Sequence, residues 1–248
     1  MLQPTSFFWE GDTLRSRSVG SVVLSDTLNI EALPNRLLVD WDRDILQHLA
    51  LEAGDVDSLP LSRARARWPS YKNYLEHVFQ WARDTGLDQG FVGSSPSLMA
   101  CRGARYHHDG EQYGHKVFCN LFLSEDKGLD VHFSAIGHRI PLKRGTVIVF
   151  DTCQPHGVID RNSNQFESGD FALPRDCSQV FLTWELPVSN AQILGALNIT
   201  IDANTPVNPV IRDAQVWCGC VKVAVCTKIG ARAAAKRLMV GVSPQSTA

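Results

Sequence analysis

The chain has 248 residues, of which 44% are hydrophobic and 20% charged, and its formal net charge at pH 7 is −2. This composition is typical of a soluble globular protein and excludes disorder over the whole length. No apolar run approaches the roughly 20 residues that span a bilayer, which disfavours a membrane protein. The near-neutral charge also disfavours general nucleic-acid binding.

The N-terminal sequence MLQPTSFFWEGD has no basic region ahead of an apolar stretch, so we expect no signal peptide. The seven cysteines are scattered and odd in number, which does not resemble a disulfide framework. We therefore expect a cytoplasmic protein with reduced thiols.

The first third of the chain has helical periodicity. Asn35 predicts the start of a helix that extends to about Gly54, with apolar residues at helical spacing. A second helix is predicted from Pro69, which suits a first turn, to Gly86, which suits a C-terminal stop. We expect residues 1–97 to form a helical N-terminal support region.

From about residue 98 to residue 187, short β-rich runs alternate with turn residues, as in an all-β sandwich or barrel. Helical segments followed by strands indicate an α+β fold rather than repeated β-α-β units. The clearest predicted strands are Lys116–Leu123, Val131–Ala135, Thr146–Asp151, His156–Asp160 and Gln179–Leu186.

Residues 188–248 are predicted to form a C-terminal extension that packs on the core, within one compact domain. Leu197–Ile201 is predicted to be a strand and Ala231–Met239 a short basic helix. Three cysteines, Cys218, Cys220 and Cys226, form an incomplete tetrahedral set with no following histidine. We favour buried small residues in a β-like run over a zinc site here.

The candidate metal ligands lie between Arg105 and Arg161. In an extended strand, residues two apart share a face, so His107 and Asp109 are expected to offer an imidazole and a carboxylate to one metal ion. His156 follows a buried strand and a short turn, and it is the candidate third ligand. Two histidines and one carboxylate on one face of a metal form the facial triad of non-haem Fe(II) oxygenases.

Another interpretation of these residues stays open, in which they are ordinary polar side chains at strand ends. Other histidines also lie nearby in the sequence. His108 is expected to point to the opposite face from His107, and His115, His132 and His138 are interpreted as surface or hydrogen-bonded histidines.

The segment resembles the Fe(II)/2-oxoglutarate-dependent oxygenases, whose signature is His-x-Asp and a distal histidine in a double-stranded β-helix (jelly roll). His107-x-Asp109 and His156 match this order. The run KVFCNLFLS resembles the core strand after the His-x-Asp motif, and the run from Pro141 to TVIVFD resembles the strand before the distal histidine. The resemblance covers roughly residues 98–187 and implies a jelly-roll catalytic core.

The resemblance implies Fe(II) and 2-oxoglutarate as cofactors, with dioxygen as the oxidant and hydroxylation as the usual outcome. In the family, an arginine or lysine on the last core strand usually binds the distal carboxylate of 2-oxoglutarate, because a guanidinium offers paired donors. Here Gln179 holds the matching position. Arg161, then Arg175, then Arg105 are the candidate cations, with Arg105 also a candidate substrate-binding residue, and Asn120 is a candidate hydrogen-bond donor to the cosubstrate.

The charge favours a small-molecule substrate, such as an amino acid or a secondary metabolite, over DNA, and a protein side chain stays open. Two other classes also stay open. One is a cupin-type metalloenzyme that does not use 2-oxoglutarate, which Gln179 in place of a cation supports. The other is a non-catalytic jelly-roll binding protein without a working metal.

Overall fold

A computed structural model describes residues 3–202, 211, 213–219 and 221–223 of the chain. The predicted helix Ala231–Met239 and two of the three C-terminal cysteines, Cys220 and Cys226, lie outside the described residues. Among the helices of the described part, none is long and apolar enough to span a membrane.

In the described chain, more residues lie in strands than in helices. The strands are β1 (Thr5–Glu10), β2 (Thr13–Ser18), β3 (Leu24–Thr27), β4 (Val56–Leu59), β5 (Ser97–Arg102), β6 (Ala104–His107), β7 (Lys116–Phe122), β8 (Leu129–Phe133), β9 (His138–Leu142), β10 (Thr146–Asp151), β11 (His156–Asp160), β12 (Ser178–Pro187), β13 (Gln215–Cys218) and β14 (Val221–Lys222). The α-helices are α1 (Asn35–Arg43), α2 (Leu61–Arg65), α3 (Tyr71–Asp84), α4 (Gly110–Tyr113) and α5 (Ala191–Leu197).

The strands from β5 to β12 build a jelly roll from two antiparallel sheets. One sheet has the order β3-β10-β7-β12-β5-β4, and the other has the order β6-β11-β8-β9. From β5 to β12 the strands alternate between the two sheets, except that β8 and β9 are paired neighbours in the smaller sheet. The α+β fold class with a jelly-roll core, predicted from the sequence, is confirmed.

Strand β10 shows why this region has the strongest strand signal in the sequence. Every one of its residues is buried, because the larger sheet is covered on both faces. Val147 and Val149 pack into the cluster that includes the helices, whereas Ile148 and Phe150 pack into the cluster between the sheets. A strand buried on both faces has a continuous apolar run rather than an alternating one.

Helices α1 and α3 pack on the outer face of the larger sheet through a cluster rich in aromatic residues. Trp68 is fully buried and contacts Trp41 and Tyr74 edge to face, with centroid distances of 5.6 and 4.8 Å. Both predicted helices are confirmed, although α1 ends at Arg43 and continues as a π-helical turn over Asp44–Leu49.

The predicted strand Leu197–Ile201 is wrong. The segment before it forms α5, because the side chain of Asn190 accepts hydrogen bonds from the backbone of Gln192 and Ile193 at the start of the helix. Asn198, in the left-handed conformation with φ of 54°, ends the helix. Of the predicted strand, one isolated bridge remains, between Ile201 and Arg17.

The N-terminal region contributes strands as well as helices. Strands β3 and β4 extend the larger sheet at its two edges, and β1 and β2 form a hairpin. This hairpin pairs with β13, and the four-stranded sheet has the order β14-β13-β1-β2. The division of the chain at residues 97 and 187 stays a prediction.

Candidate metal centre

Strand β6 delivers the first histidine of the His-x-Asp motif, but the strand ends there. Asp109 is not extended, with φ of −101° and ψ of 10°, and it immediately precedes α4. Its backbone N–H donates to the carbonyl of Thr152, at 2.7 Å. The expected shared strand face is therefore wrong in detail, because a turn, rather than the pleat, brings the carboxylate beside His107.

Antiparallel pairing brings the two histidines together. His107 on β6 is directly opposite His156 on β11, and their ring centroids are 4.4 Å apart. The Nε2 atom of His107 lies 3.7 Å from one oxygen of Asp109, and the Nε2 atom of His156 lies 3.8 Å from the other. One ligand atom from each residue lies within 4.8 Å of the others.

Backbone hydrogen bonds determine which nitrogen of each ring faces the site. His107 Nδ1 lies 2.6 Å from the carbonyl of Arg105, and His156 Nδ1 lies 2.9 Å from the carbonyl of Gln154. Because a carbonyl only accepts, each Nδ1 carries a proton, and in the neutral ring the lone pair then lies on the Nε2 atom that faces Asp109. This is the usual outer arrangement of metal-binding histidines.

Burial also keeps His156 in its neutral form. Burial, with a further contribution from the neighbouring His107, lowers the pKa of His156 to about 4. The His156 ring packs edge to face on Phe150, with centroids 4.8 Å apart. At neutral pH the imidazole is therefore unprotonated at Nε2, the form that binds a metal.

The three side chains open into a cavity of about 500 Å³ between the two sheets. The wall formed by β7 and β12 has three pairs of facing residues along its length. Glu185 pairs with Phe118, Thr183 with Asn120, and Phe181 with Phe122. The rings of the last pair are stacked, with centroids 5.0 Å apart, and Thr183 Oγ1 donates to Asn120 Oδ1 at 2.9 Å.

Among the described residues that line this cavity, none is a lysine or an arginine. Arg161 instead pairs with Asp126 and Asp130, at 2.9 and 2.8 Å, and Arg175 pairs with Asp160 at 2.6 Å. Both arginines thus lie at the opposite end of β11 from the ligand histidine, and neither lines the cavity.

The other predicted cosubstrate and substrate residues have different surroundings. Arg105 pairs with Asp55 at 3.3 Å and does not line the cavity. Gln179 is fully buried with no hydrogen-bond partner for its amide, and it too is absent from the cavity wall. Asn120 does line the cavity. The roles predicted for these residues stay predictions.

The nearby histidines are placed outside the ligand cluster. His108 is buried on the far side of the motif, where its Nε2 lies 3.1 Å from the carbonyl of Val223. His132 forms a short hydrogen bond with Tyr106. His115 and His138 are both exposed.

Several cavity residues were missed by sequence reasoning. Thr183 and Glu185 follow Phe181 at alternate positions of β12, so period-2 alternation on that strand could have identified them. Val56 and Ser58 come from β4, a short edge strand with mostly exposed residues. Such a strand has no apolar alternation, and no sequence signal marks it.

No family model matches this sequence, and no curated protein matches it. Similar solved structures include a prolyl-4-hydroxylase from Pseudomonas putida, with 18% identity, a TM-score of 0.38, and coverage of 66% of this chain and 92% of that one. A viral collagen prolyl hydroxylase from Paramecium Bursaria Chlorella virus-1, as a 2-oxoglutarate complex, has 11% identity, a TM-score of 0.39, and coverage of 67% and 96%. The α-ketoglutarate-dependent epimerase SnoN from nogalamycin biosynthesis has 9% identity, a TM-score of 0.35, and coverage of 69% and 83%. At these values the similarity says nothing about the substrate of this chain.

Proposed function

We propose that this chain is a non-haem Fe(II) oxygenase that uses 2-oxoglutarate and dioxygen to oxidise a small-molecule substrate, by hydroxylation or a related reaction. The convergence of His107 Nε2, His156 Nε2 and the Asp109 carboxylate on one point of the cavity supports this proposal most strongly. Both imidazoles have the tautomer that a metal needs before any metal binds.

The donor set fits an iron ion. Ligands at right angles around a metal, with bonds of about 2.0–2.2 Å, lie roughly 3 Å apart, and the observed separations of 3.7 and 3.8 Å are slightly longer. Two imidazoles and one carboxylate leave other coordination positions open, which is typical of Fe(II) oxygenases. When bound, the iron supplies the oxidative chemistry, and the chain supplies the ligands and a shielded cavity.

For 2-oxoglutarate, the described cavity wall offers hydrogen bonds rather than a cation. Thr183 donates its hydroxyl proton to Asn120 Oδ1, which leaves the amide N–H groups of Asn120 available to a carboxylate. We therefore assign the distal carboxylate of 2-oxoglutarate to Asn120. A role for Arg161 or Arg175 would require either one to leave its carboxylate partner.

The apolar residues that line the cavity have a separate role. Ile148, Phe150, Val158 and Phe181 line the cavity, and Phe181 stacks on Phe122 of the neighbouring strand. Such walls exclude water from the reacting groups, which strengthens electrostatic interactions within the site.

The test is anaerobic addition of Fe(II) and 2-oxoglutarate to the purified protein, followed by visible spectroscopy. A metal-to-ligand charge-transfer band is expected for the wild type and its loss for His107→Ala. His138→Ala is the matched control, since His138 is exposed and does not line the cavity. Absence of the band in folded wild-type protein, or its persistence in His107→Ala, contradicts the proposal.

A second candidate is a metalloenzyme on the same centre that does not use 2-oxoglutarate. The observation that favours it is the lack of lysine and arginine in the described cavity wall. The two candidates differ in succinate formation from 2-oxoglutarate under air. Metal binding without a charge-transfer band and without succinate would support the second candidate.

A further inference from the structure

A fully buried arginine lies behind the candidate metal centre. Arg17 on β2 has no exposed surface and forms a two-point ion pair with Asp151, with N–O distances of 2.6 and 2.7 Å. Desolvating a charge is costly unless all of its donors find partners. The remaining donors of Arg17 do so: Nε donates to the carbonyl of Gly114 at 2.8 Å, Nη1 to that of Ser18 at 3.1 Å, and Nη2 to Cys153 Sγ at 3.2 Å.

The partners of Arg17 belong to the two backbone segments that present the candidate ligands. Gly114 follows α4, the short helix that Asp109 precedes. Asp151 and Cys153 begin the turn that leads from β10 to His156. One guanidinium therefore contacts both the carboxylate segment and the distal-histidine segment.

Asp151 also shapes that turn directly. Its carboxylate accepts the backbone N–H of Cys153 at 2.9 Å, and its carbonyl accepts the backbone N–H of Gln154 at 2.9 Å. The carbonyl of Gln154 is in turn the partner of His156 Nδ1. Hydrogen bonds through Asp151 and Gln154 thus link Arg17 to the ring of the distal histidine.

The two segments also contact one another within this network. Asp109 N–H donates to the carbonyl of Thr152, and the Thr152 hydroxyl lies 2.8 Å from the carbonyl of Tyr113. Ser6 on β1 contacts Cys153 Sγ at 3.1 Å. The N-terminal hairpin is therefore attached to the back of the metal centre through buried polar contacts.

From this network we propose that Arg17 is a positioning residue of the metal centre, and that it holds the segments of Asp109 and His156 in the arrangement in which the ligand atoms converge. The inference rests on the metal centre of the proposed function. The planar fork of a guanidinium matches a carboxylate and leaves Nε and further N–H groups for other acceptors, which the ammonium of a lysine cannot reproduce. Arg17→Lys therefore keeps the charge and loses the geometry.

The test measures Co(II) binding under anaerobic conditions, with the visible absorption of Co(II) as a report of coordination geometry. Arg17→Lys is expected to bind Co(II) about 10- to 100-fold more weakly than wild type, the usual cost of losing an outer contact of a metal site, with an altered visible spectrum. The folded fraction is measured for each variant by circular dichroism, so that affinity is compared between folded proteins. A folded Arg17→Lys protein with wild-type affinity and spectrum overturns the proposal.

Arg102→Lys is the matched control. Arg102 is also a buried arginine, with hydrogen bonds to the carbonyls of Phe171 and Arg175, but these carbonyls belong to a loop without candidate ligands. Its Co(II) affinity is expected to stay within about twofold of wild type. An equal loss in both variants means that any buried arginine has this effect, which also overturns the proposal.

If Arg17→Lys does not fold, the double variant Arg17→Met/Asp151→Leu replaces it, because removing both charges leaves no unpaired ion in the interior. The same loss of Co(II) affinity is expected, and retention of wild-type affinity overturns the proposal. If the wild-type protein binds no Co(II), the proposed metal centre is contradicted, and the positioning role of Arg17 is contradicted with it. Wild-type protein that binds Co(II) but gives no band with Fe(II) and 2-oxoglutarate contradicts the proposed cosubstrate alone, and the positioning role is then judged on Co(II).

Discussion

The two ends of strand β11 contain different kinds of site, although the strand has only five residues. At its start, His156 faces His107 and Asp109 in a cavity whose described wall has no lysine or arginine. At its other end, Asp160 and Arg161 belong to a cluster of ion pairs that also includes Arg175, Asp126 and Asp130. We refer to these as the metal end and the ion-pair end of β11.

The difference shows that nearness in sequence is a poor guide to which cation reaches a site. A strand advances about 3.3 Å per residue, so the residue after a five-residue strand lies well away from its first residue. The carboxylates beside Arg161 and Arg175 bind them there.

The largest effect on metal binding is expected from Asp109→Asn, which keeps the shape of the side chain at the metal end and removes its charge. We expect Co(II) affinity to fall by more than about 100-fold, since loss of an outer contact alone costs about 10- to 100-fold. Asp126→Asn removes a carboxylate at the ion-pair end and is expected to leave the affinity unchanged. Equal effects of the two substitutions would break the distinction between the ends.

A substitution in the buried Arg17 network should lower the free energy of unfolding more than a substitution at the ion-pair end of β11. Arg17→Met leaves Asp151 buried without its partner, and we expect it to lower the free energy of unfolding by about 3–5 kcal/mol. Arg161 is partly exposed, and after Arg161→Met the buried Asp130 still pairs with Arg139 at 3.4 Å, so we expect a loss of about 1 kcal/mol or less. Chemical denaturation of both variants and wild type measures the difference. A larger loss for Arg161→Met would contradict the assignment of the buried network as the stronger one.

The pH dependence of stability should report on His156. Its pKa in the folded apo protein is about 4, below the ordinary value of 6.5, so the unfolded chain takes up the proton first as the pH falls. This group therefore costs no stability above a pH of about 6.5. Its effect is to lower the free energy of unfolding as the pH falls from about 6.5 towards about 4. Between pH 7 and pH 5, wild-type protein is expected to lose about 2 kcal/mol more stability than His156→Gln.

Denaturation of the metal-free proteins at the two pH values checks this expectation. His138→Gln is the control, because His138 is exposed, and its pH dependence should match that of wild type. The same pH dependence in His156→Gln and wild type would mean that His156 is not held neutral by burial.

The smallest effect concerns the cosubstrate. Asn120→Ala removes the amide that we assign to the distal carboxylate, and a hydrogen bond to a charged group is worth about 1.5–3 kcal/mol. We expect at least about tenfold weaker binding of 2-oxoglutarate, measured by titration of the charge-transfer band. Arg161→Ala is expected to change it by less than about twofold. The reverse result would mean that the cosubstrate reaches the ion-pair end.

Much of the jelly roll was predictable because its strands have clear apolar patterns. The predicted strand Thr146–Asp151 has the bounds that the structure gives it, and so does His156–Asp160. Helices α1 and α3 were predictable for the same reason, since their apolar spacing matches the face that they bury.

The N-terminal hairpin was not predictable in this way. Its second strand has the sequence TLRSRS, in which no alternating apolar face is visible. Its buried residues are Ser16 and Arg17, and both have partners that are distant in the sequence, Asp202 and Asp151. A polar residue satisfied by a tertiary contact looks like a surface residue in the sequence.

By itself, the sequence determined the strand pattern of the core and the identity of the candidate ligands, because hydrophobic periodicity and residue type are local properties. The tertiary structure alone decided how they meet: pairing of β6 with β11 sets His107 opposite His156, and a turn rather than a shared strand face brings Asp109 to them. It also decided that Arg161 and Arg175 bind carboxylates elsewhere and that Arg17 lies behind the metal centre. A charged side chain forms ion pairs with the groups that folding brings close, and those groups are far away in the sequence.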